Sequence, residues 1–348
     1  MILQPLLVAS AQTGWGIGKR DRDVYFSDLD RGRVLKLDPH GDLHVLIEDV
    51  HCHNLAPSYD GSFYGEAVGT GRGGTGDVVA LWRISLDDEV EQVMPGIAKP
   101  EAGVWIARDS FGNSYSWHRE ADRTSQIVKR GGDGTVSVRA GGEWGFQDGK
   151  GPEARFAAVG AIASSPDGVL FVTDSGHLRK ISPEGIVETV ARDVVSDRTG
   201  GLPGDFGLFN HSVGIAISST NEVYLVDAYN LRIVRWSSTD NSVMVRDANN
   251  WLSRATDGGL AWHPRGVAVA GSEVYVLESM TLPVFLADLI GSPRIRRISP
   301  EGTHVIKSVA SWPLRVITVS VPMAVAVSLL LWRRRRLLKH GNRSERQA

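Results

Sequence analysis

The runs Ala154-Arg155-Phe156, Ala161-Ile162-Ala163, Pro166-Asp167-Gly168, Val169-Leu170-Phe171-Val172-Thr173-Asp174, Leu178-Arg179-Lys180-Ile181, Pro183-Glu184-Gly185 and Ile186-Val187-Glu188-Thr189-Val190 decide the fold of this chain. Short stretches rich in β-branched and aromatic residues alternate with turn tripeptides, which predicts one four-stranded antiparallel sheet. A single sheet cannot bury both its faces. The pattern returns along most of the chain, at a period of roughly 40 to 55 residues with four strands per unit, and such a repeat builds a propeller whose blades cover one another. The fold class expected is therefore all-β, a six-bladed β-propeller over residues 1–311, followed by a single C-terminal transmembrane helix.

Working outward, the first blade is Trp15 to Val50, with strands Asp23–Asp28, Arg33–Asp38 and Asp42–Ile47. The second, His53 to Met94, contains Ser62–Glu66 and Val79–Ile84, separated by a Gly-rich insertion from Val68 to Gly76. That insertion lacks a Gly-Lys-Ser/Thr ending and opens no helix, so it is not read as a phosphate loop. The third blade, Lys99 to Arg139, is the least regular. The fifth covers Gly204 to Val245, and the sixth starts at Gly266–Val269 and carries a long insertion from Ser279 to Pro293.

The pattern from Gly141 to Val190 combines a Gly-rich loop, a small-residue-Arg-Phe triplet, an apolar strand ending in Asp, a basic apolar strand and Pro-x-Gly. It resembles the NHL-repeat family of β-propellers, and Gly204 to Val245 is a second copy in which Phe206-Gly207-Leu208-Phe209 replaces the triplet. The resemblance implies blade packing. It does not imply an activity, since that family includes binding scaffolds and enzymes.

Composition agrees with a folded, turn-rich chain. Its 348 residues are 42% hydrophobic and 22% charged, with 39 glycines. A formal net charge of −2, with basic residues scattered except at the far C-terminus, gives no global field to recruit nucleic acid. Cys52 is the single cysteine, which excludes an intrachain disulfide and a Cys-rich zinc module. As a nucleophile it is not indicated, because alternation sends His51 and His53 to one side and Cys52 to the other; it reads as a small buried hydrophobe.

Both ends bear on localisation. Met1 to Ala11 has two readings: a short secretion signal with Ala9-Ser10-Ala11 as cleavage spacing but no charged n-region, or a first strand that helps close the ring. Val316 to Trp332 is uncharged, flanked by Trp312 and Trp332, and followed by Arg333-Arg334-Arg335-Arg336. A span near 20 apolar residues crosses a bilayer, interfacial tryptophans anchor it, and the basic cluster favours the cytoplasmic side. The expectation is a transmembrane helix over 312–332, a basic cytoplasmic tail over 333–348 and an extracytoplasmic propeller.

Chemistry is expected at one end of the central channel, where the loops before the innermost strands and after the second strands converge. Aligning the blades puts Trp15, His53 with Asn54, Glu101, Val159, His211 and His263 before the innermost strands. Asp28, Glu66, Trp117, Asp174, Asp227 and Glu278 end the second strands. His53, His211 and His263 would suit zinc or a similar divalent ion with a position left for water or substrate. In this respect the chain resembles the peptidylamidoglycolate lyase propeller, whose metal is held by channel histidines, although no equivalent of that family's catalytic tyrosine and arginine stands here. The first blade, through Tyr25-Phe26-Ser27-Asp28, Gly32-Arg33-Val34 and Leu37-Asp38-Pro39, resembles SMP-30/gluconolactonase propellers. That resemblance implies a carboxylate-held divalent ion such as calcium and lactone hydrolysis, with Asn54, Glu66 and Asp227 as the substituted ligands. The carboxylates that close the second strands are otherwise read as turn caps accepting backbone N–H bonds, with Glu66 and Glu278 the members set apart. The third reading is a membrane-tethered recognition disc for a protein or small molecule, with the apolar insertion Met280 to Ile290 as docking surface or lid.

Overall fold

The computed structural model describes residues 16–28, 32–58, 60–70, 78–98, 107–119, 123–192, 214–227, 232–246, 262–280 and 293–308. The N-terminal segment read as signal or strand, the span read as a transmembrane helix and the tail lie outside them. Among the described residues no helix is long and apolar enough to cross a membrane.

Six antiparallel sheets are present, as the repeat predicts. The first blade is β1 (Ile17–Arg20), β2 (Asp23–Asp28), β3 (Arg33–Leu37) and β4 (Leu43–Ile47). The second is β5 (Val50–Pro57), β6 (Phe63–Thr70), β7 (Val78–Ile84) and β8 (Val90–Ala98). The third is β9 (Ala107–Arg108), β10 (Ser114–Arg119), β11 (Ser125–Arg130) and β12 (Val136–Ala140). The fourth holds β13 (Gly149–Lys150), β14 (Val159–Ser164), β15 (Leu170–Asp174), β16 (His177–Ile181) and β17 (Ile186–Ala191). The fifth is β18 (Gly214–Ile217), β19 (Val223–Asp227), β20 (Arg232–Trp236) and β21 (Val243–Arg246), and the sixth is β22 (Trp262–Ala270), β23 (Glu273–Met280), β24 (Arg294–Ser299) and β25 (Gly302–Ser308).

The innermost strands pack in the cyclic order β1, β5, β9, β14, β18, β22 and back to β1. Blade 3 therefore lies across the ring from blade 6. Hydrophobic clusters fill the gaps between neighbours: Phe26, Leu35, Tyr275 and Leu277 join blades 1 and 6, while Tyr115, Trp117, Phe156 and Leu170 join blades 3 and 4. This is how a sheet that is apolar on both sides finds cover without a helical layer.

The turns opposite the acidic strand ends share one geometry. In Asp38–Asp42, Ser58–Ser62, Ser85–Glu89, Asp109–Asn113, Ser165–Val169 and Ser182–Ile186 the first residue's N–H donates to the fifth residue's carbonyl, and the fourth residue's N–H donates back to the first. That fourth residue is left-handed: Gly41, Gly61, Asp88, Gly112, Gly168 and Gly185 have φ between 63° and 90°. Glycine or an Asx residue is what such a position accepts, so the Asp-Gly and Pro-x-Gly signals are backbone requirements.

In every blade an aromatic residue on the second strand stands opposite a basic residue on the third: Tyr25 and Lys36, Tyr64 and Arg83, Tyr115 and Lys129, Phe171 and Lys180, Tyr224 and Arg235, Tyr275 and Arg297. Four of these basic heads end in ion pairs, Lys36 with Asp23 and Asp88, Arg83 with Asp60 and Glu91, Arg235 with Glu222 and Arg297 with Glu273.

Three expectations need correction. The stretch that decides the fold belongs to a five-stranded sheet, because β13 pairs Gly149 with Val187 and Lys150 with Ile186. Two residues with no alternation leave no strand signal in the sequence. The insertion placed at Val68 to Gly76 starts later, since Ala67 pairs with Ala80 and Val68 with Val79 and these small apolar residues prolong the β6–β7 hairpin. The insertion expected from Ser279 likewise begins beyond β23, whose Ser279 and Met280 still pair with His263 and Trp262.

Candidate functional site

The innermost strands enclose a channel cavity of about 360 Å³, lined by residues from all six blades. Its wall is mostly small and apolar, with Leu55, Ala107, Ile162, Ile215 and Val267, and it carries two cations, Lys19 and Arg108. Arg108 stacks at 3.8 Å over the Tyr64 ring of the preceding blade and donates to Ser114 Oγ at 3.1 Å. Burial pushes the Lys19 ammonium below its ordinary pKa, against the pull of Asp23 and Glu273. Both cations lie toward the first-to-second-strand turns.

At the other end stand the acidic residues expected to close the second strands; Asp28, Asp174 and Asp227 do so, while Glu278 lies two residues before the end of β23. Asp28, Asp174, Asp227 and Glu278 are all buried, and each is met by an arginine from the third strand of its own blade. Arg33 reaches Asp28 Oδ2 at 2.7 Å, Arg179 reaches Asp174 Oδ2 at 2.7 Å, and Arg232 Nε reaches Asp227 Oδ2 at 2.8 Å. Glu278 takes Arg294 Nε at 2.5 Å and Arg296 Nε at 3.3 Å. In three blades the arginine follows the aspartate by five residues, a spacing visible in the sequence as Asp-x-x-x-x-Arg and overlooked as a pairing signal. Asp174 also accepts the Ala157 and Ala158 N–H groups at 3.0 and 2.7 Å, the turn cap expected of it. Glu278, set apart by its identity, makes the same kind of intrablade pair as its aspartate counterparts.

The fullest of these sites is in blade 4. Arg179 is wholly buried, donates to the Arg155 and Gln147 carbonyls at 2.7 and 2.6 Å and to Asp148 at 2.9 Å, and lies between Phe146 and Phe156 at 4.6 and 4.8 Å from the ring centroids. Every one of these acceptors belongs to the segment that enters the blade from β12. One guanidinium thus fixes the path of that connection.

The histidines are placed only in part. His53 lies within β5 and His263 within β22, not ahead of the strands, because both strands start earlier than their apolar cores. Asn54, the next residue after His53, pairs with Glu66; Pro264, the next after His263, pairs with Glu278. The two histidines therefore occupy one equivalent backbone position, each a residue ahead of the partner of a second-strand glutamate, Glu66 or Glu278. The β5–β6 register shifts between Val50 and Cys52, where the extra residue lies on β6, and again between Cys52 and Asn54, where His53 is the extra residue, so the strict alternation expected for His51 to Asn54 is broken. Cys52 is buried, as expected. His211 lies outside the described residues, as do the side chains of His53, Asn54, Glu66 and His263. Among the described residues, no three His, Cys, Asp or Glu side chains converge to hold a metal.

A second feature of this end had no sequence signal. Between blades 3 and 4 the exposed Trp144 and Phe146 sit beside Arg119, Arg123 and His177. The Arg119 and Arg123 guanidinium carbons are each 5.7 Å from the Trp144 ring centroid, and Phe146 meets the His177 ring edge-on at 5.0 Å. Trp144 Nε1 donates to the Ala157 carbonyl at 2.8 Å, and its backbone N–H donates to Arg123, which is held at φ 74°.

No family model matches the chain, and no curated protein does. Solved structures do share its fold. Similar ones include a nidogen/laminin complex, 13% identical over 84% of this chain and 94% of that chain, TM-score 0.53. Another is a luciferin-regenerating enzyme, 15% identical over 86% and 95%, TM-score 0.50. A putative gluconolactonase is 13% identical over 86% and 92%, TM-score 0.49. Structural likeness at identities this low shows the six-bladed propeller alone; two of these neighbours carry enzyme names, one of them as putative, and the third is part of a protein complex.

Proposed function

We propose that this chain is a membrane-anchored recognition propeller that takes a protein or small-molecule ligand at the acidic-ring end of its channel. The observation that supports this reading is the neutralisation of that ring: Asp28, Asp174, Asp227 and Glu278 are each engaged by an arginine of their own blade. Carboxylates held this way fix turns and are poorly disposed to act as general bases or to give up their partners to an ion. Recognition then falls to the loops around the mouth, including the insertion Met280 to Ile290. The anchor is the apolar span Val316 to Trp332, with the Arg333 to Arg336 cluster on the cytoplasmic side and the disc outside.

A second reading, a metal-dependent hydrolase or lyase, is favoured by the equivalent placement of His53 and His263 and by the pairing of Asn54 with Glu66. With His211, these histidines would hold zinc, or Asn54, Glu66 and Asp227 would hold calcium; the bound ion would supply an activated water. Elemental analysis of the full chain in detergent, beside the His53→Ala/His211→Ala/His263→Ala variant, separates the two. About one equivalent of transition metal, lost in the folded variant, would replace the recognition reading by the enzyme. Stoichiometric calcium retained by the variant favours the carboxylate set. A metal-free protein leaves the recognition disc.

A further inference from the structure

The direction in which the chain leaves blade 6 says which side of the disc meets the membrane. Strand β25 starts at the turn shared with β24 and ends at Ser308, which pairs with Arg294, and Arg294 pairs with Glu278 of the acidic ring. The described chain thus ends at the rim of the acidic-ring face. Only seven residues, Val309 to Arg315, separate Ser308 from the apolar span that opens at Val316. Those eight steps cover no more than about 28 Å even when fully extended. A bilayer holding that span therefore lies within about 28 Å of this rim.

The same face carries Trp144, Phe146, Arg119 and Arg123 on the side of the ring across from blade 6. Trp144 is 39% and Phe146 37% exposed, so each ring keeps an open side beside its contact with the Ala157 carbonyl or the Arg179 guanidinium. Tryptophan settles at the level of lipid headgroups, where its ring meets the acyl boundary, and arginine binds phosphate bidentately. Neither Arg119 nor Arg123 is ion-paired to a carboxylate among the described residues, whereas the neighbouring Glu143 is paired with Arg155 at 3.2 Å. The left-handed backbone of Arg123 is one that few residues other than Gly, Asn and Asp adopt, and here it brings the guanidinium beside the indole.

We infer that the acidic-ring face lies flat against a phospholipid surface, tethered at the blade 6 rim by the anchor and docked at the opposite rim by Trp144, Phe146, Arg119 and Arg123. This rests on the membrane-anchor reading given above. Two attachments at opposite rims fix the tilt of a disc, which a single flexible tether cannot do. The mouth of the channel then opens toward headgroups, which narrows the ligand proposed above to one reached from the bilayer, a lipid-soluble small molecule or a membrane-embedded protein segment, and the turns Asp38–Asp42 and Ser85–Glu89 face away.

The test uses the full chain with Cys52→Ala and one reporter cysteine, Glu143→Cys on the inferred contact face or Asp87→Cys on the far one, each carrying an environment-sensitive fluorophore. Both are reconstituted into vesicles of phosphatidylcholine and phosphatidylglycerol bearing a headgroup-level nitroxide quencher. Strong quenching at 143 and none at 87 is expected. Adding Trp144→Ala, Phe146→Ala, Arg119→Ala and Arg123→Ala abolishes quenching at 143 while flotation with the vesicles and the far-ultraviolet circular dichroism stay unchanged. A chain that floats but is quenched equally at both positions, or more at 87, overturns the inference and leaves the anchor standing. Quenching at 143 that survives the four substitutions overturns the docking patch. A chain that does not float overturns the anchor and the inference together.

Discussion

Arg179 Nη1 donates to Asp174 Oδ2 at 2.7 Å with neither side chain exposed to solvent, and the same guanidinium closes on two carbonyls of the segment entering blade 4. A buried pair of this kind contributes little net stability against an apolar substitute of equal volume, but loss of one partner strands the other. Arg179→Met is therefore expected to cost about 3–5 kcal/mol by leaving Asp174 without its counter-ion. Urea unfolding of Arg179→Met and of Arg179→Met/Asp174→Asn checks this; the second change removes the stranded charge while keeping an acceptor for the Ala157 and Ala158 N–H groups, so the double variant should recover part of the loss, and one as unstable as Arg179→Met would refute the account.

A pH dependence follows from Asp88, which joins blades 1 and 2. Its carboxylate accepts from Arg20, from Tyr25 Oη at 2.7 Å and from Lys36 Nζ at 2.5 Å. Burial raises its pKa, yet the hydrogen bonds from Lys36 and Tyr25 prevail and hold it below the usual carboxylate value. Because the folded pKa is depressed, the stabilisation is present above the unfolded value and is lost as pH falls through the folded one, below about pH 4. Tyr25 behaves oppositely: burial and Asp88 push it up to about 12, so its contribution is complete below its ordinary value of 10 and lost toward pH 12. Stability measured from pH 2 to 12 should fall at both ends, and Asp88→Asn should flatten the acid limb.

At the same joint, a Cβ on Gly18 would come within 2.2 Å of Phe63, a fully buried ring that leans on Tyr25 at 4.6 Å. The ring has nowhere to go. Gly18→Ala should destabilise by about 1–3 kcal/mol through overpacking. Phe63→Leu in the same chain should relieve part of that cost, measured by thermal melts of the four-member cycle.

Strand β13 owes its place to Asp148, which accepts the Thr189 N–H at 2.9 Å and its hydroxyl at 2.9 Å. Asp148→Ala should expose this edge. Amide exchange at Thr189 and Gly151 is expected to accelerate markedly while β15 stays protected, and unchanged exchange at both would count against it.

What the sequence makes legible here is whatever repeats. Six blades, and most strand limits to within two residues, follow from alternation between left-handed turn residues such as Gly41, Gly168 and Gly185. Strand β13 was hidden because two residues carry no period. The two register shifts beside His51 and His53 were hidden because alternation assumes unbroken pairing. The Asp28–Arg33, Asp174–Arg179 and Asp227–Arg232 spacing was in plain view, but a carboxylate ending a strand reads equally well as a turn cap, and Glu278 meets Arg294 only after a long insertion. Trp144 and Arg123 become neighbours through a left-handed backbone at a residue type that seldom adopts it, and no spacing rule foresees that.

Apart from β13, which pairs with β17, each described sheet is assembled from strands consecutive in the chain, so its ladders are hairpins between neighbouring strands. Contacts that local form quickly, on the order of microseconds per hairpin, well before distant ones. The joint between β1 and β22 is the most distant of all, since its two sides are separated by nearly the whole described chain. Among the described strands it is closed by side chains such as Phe26, Tyr275 and Leu277 and by no shared ladder. During synthesis five blades can stack in order as an open arc with an unsealed end, and the arc becomes a ring only when blade 6 arrives. Maturation of this protein is thus gated by its last repeat.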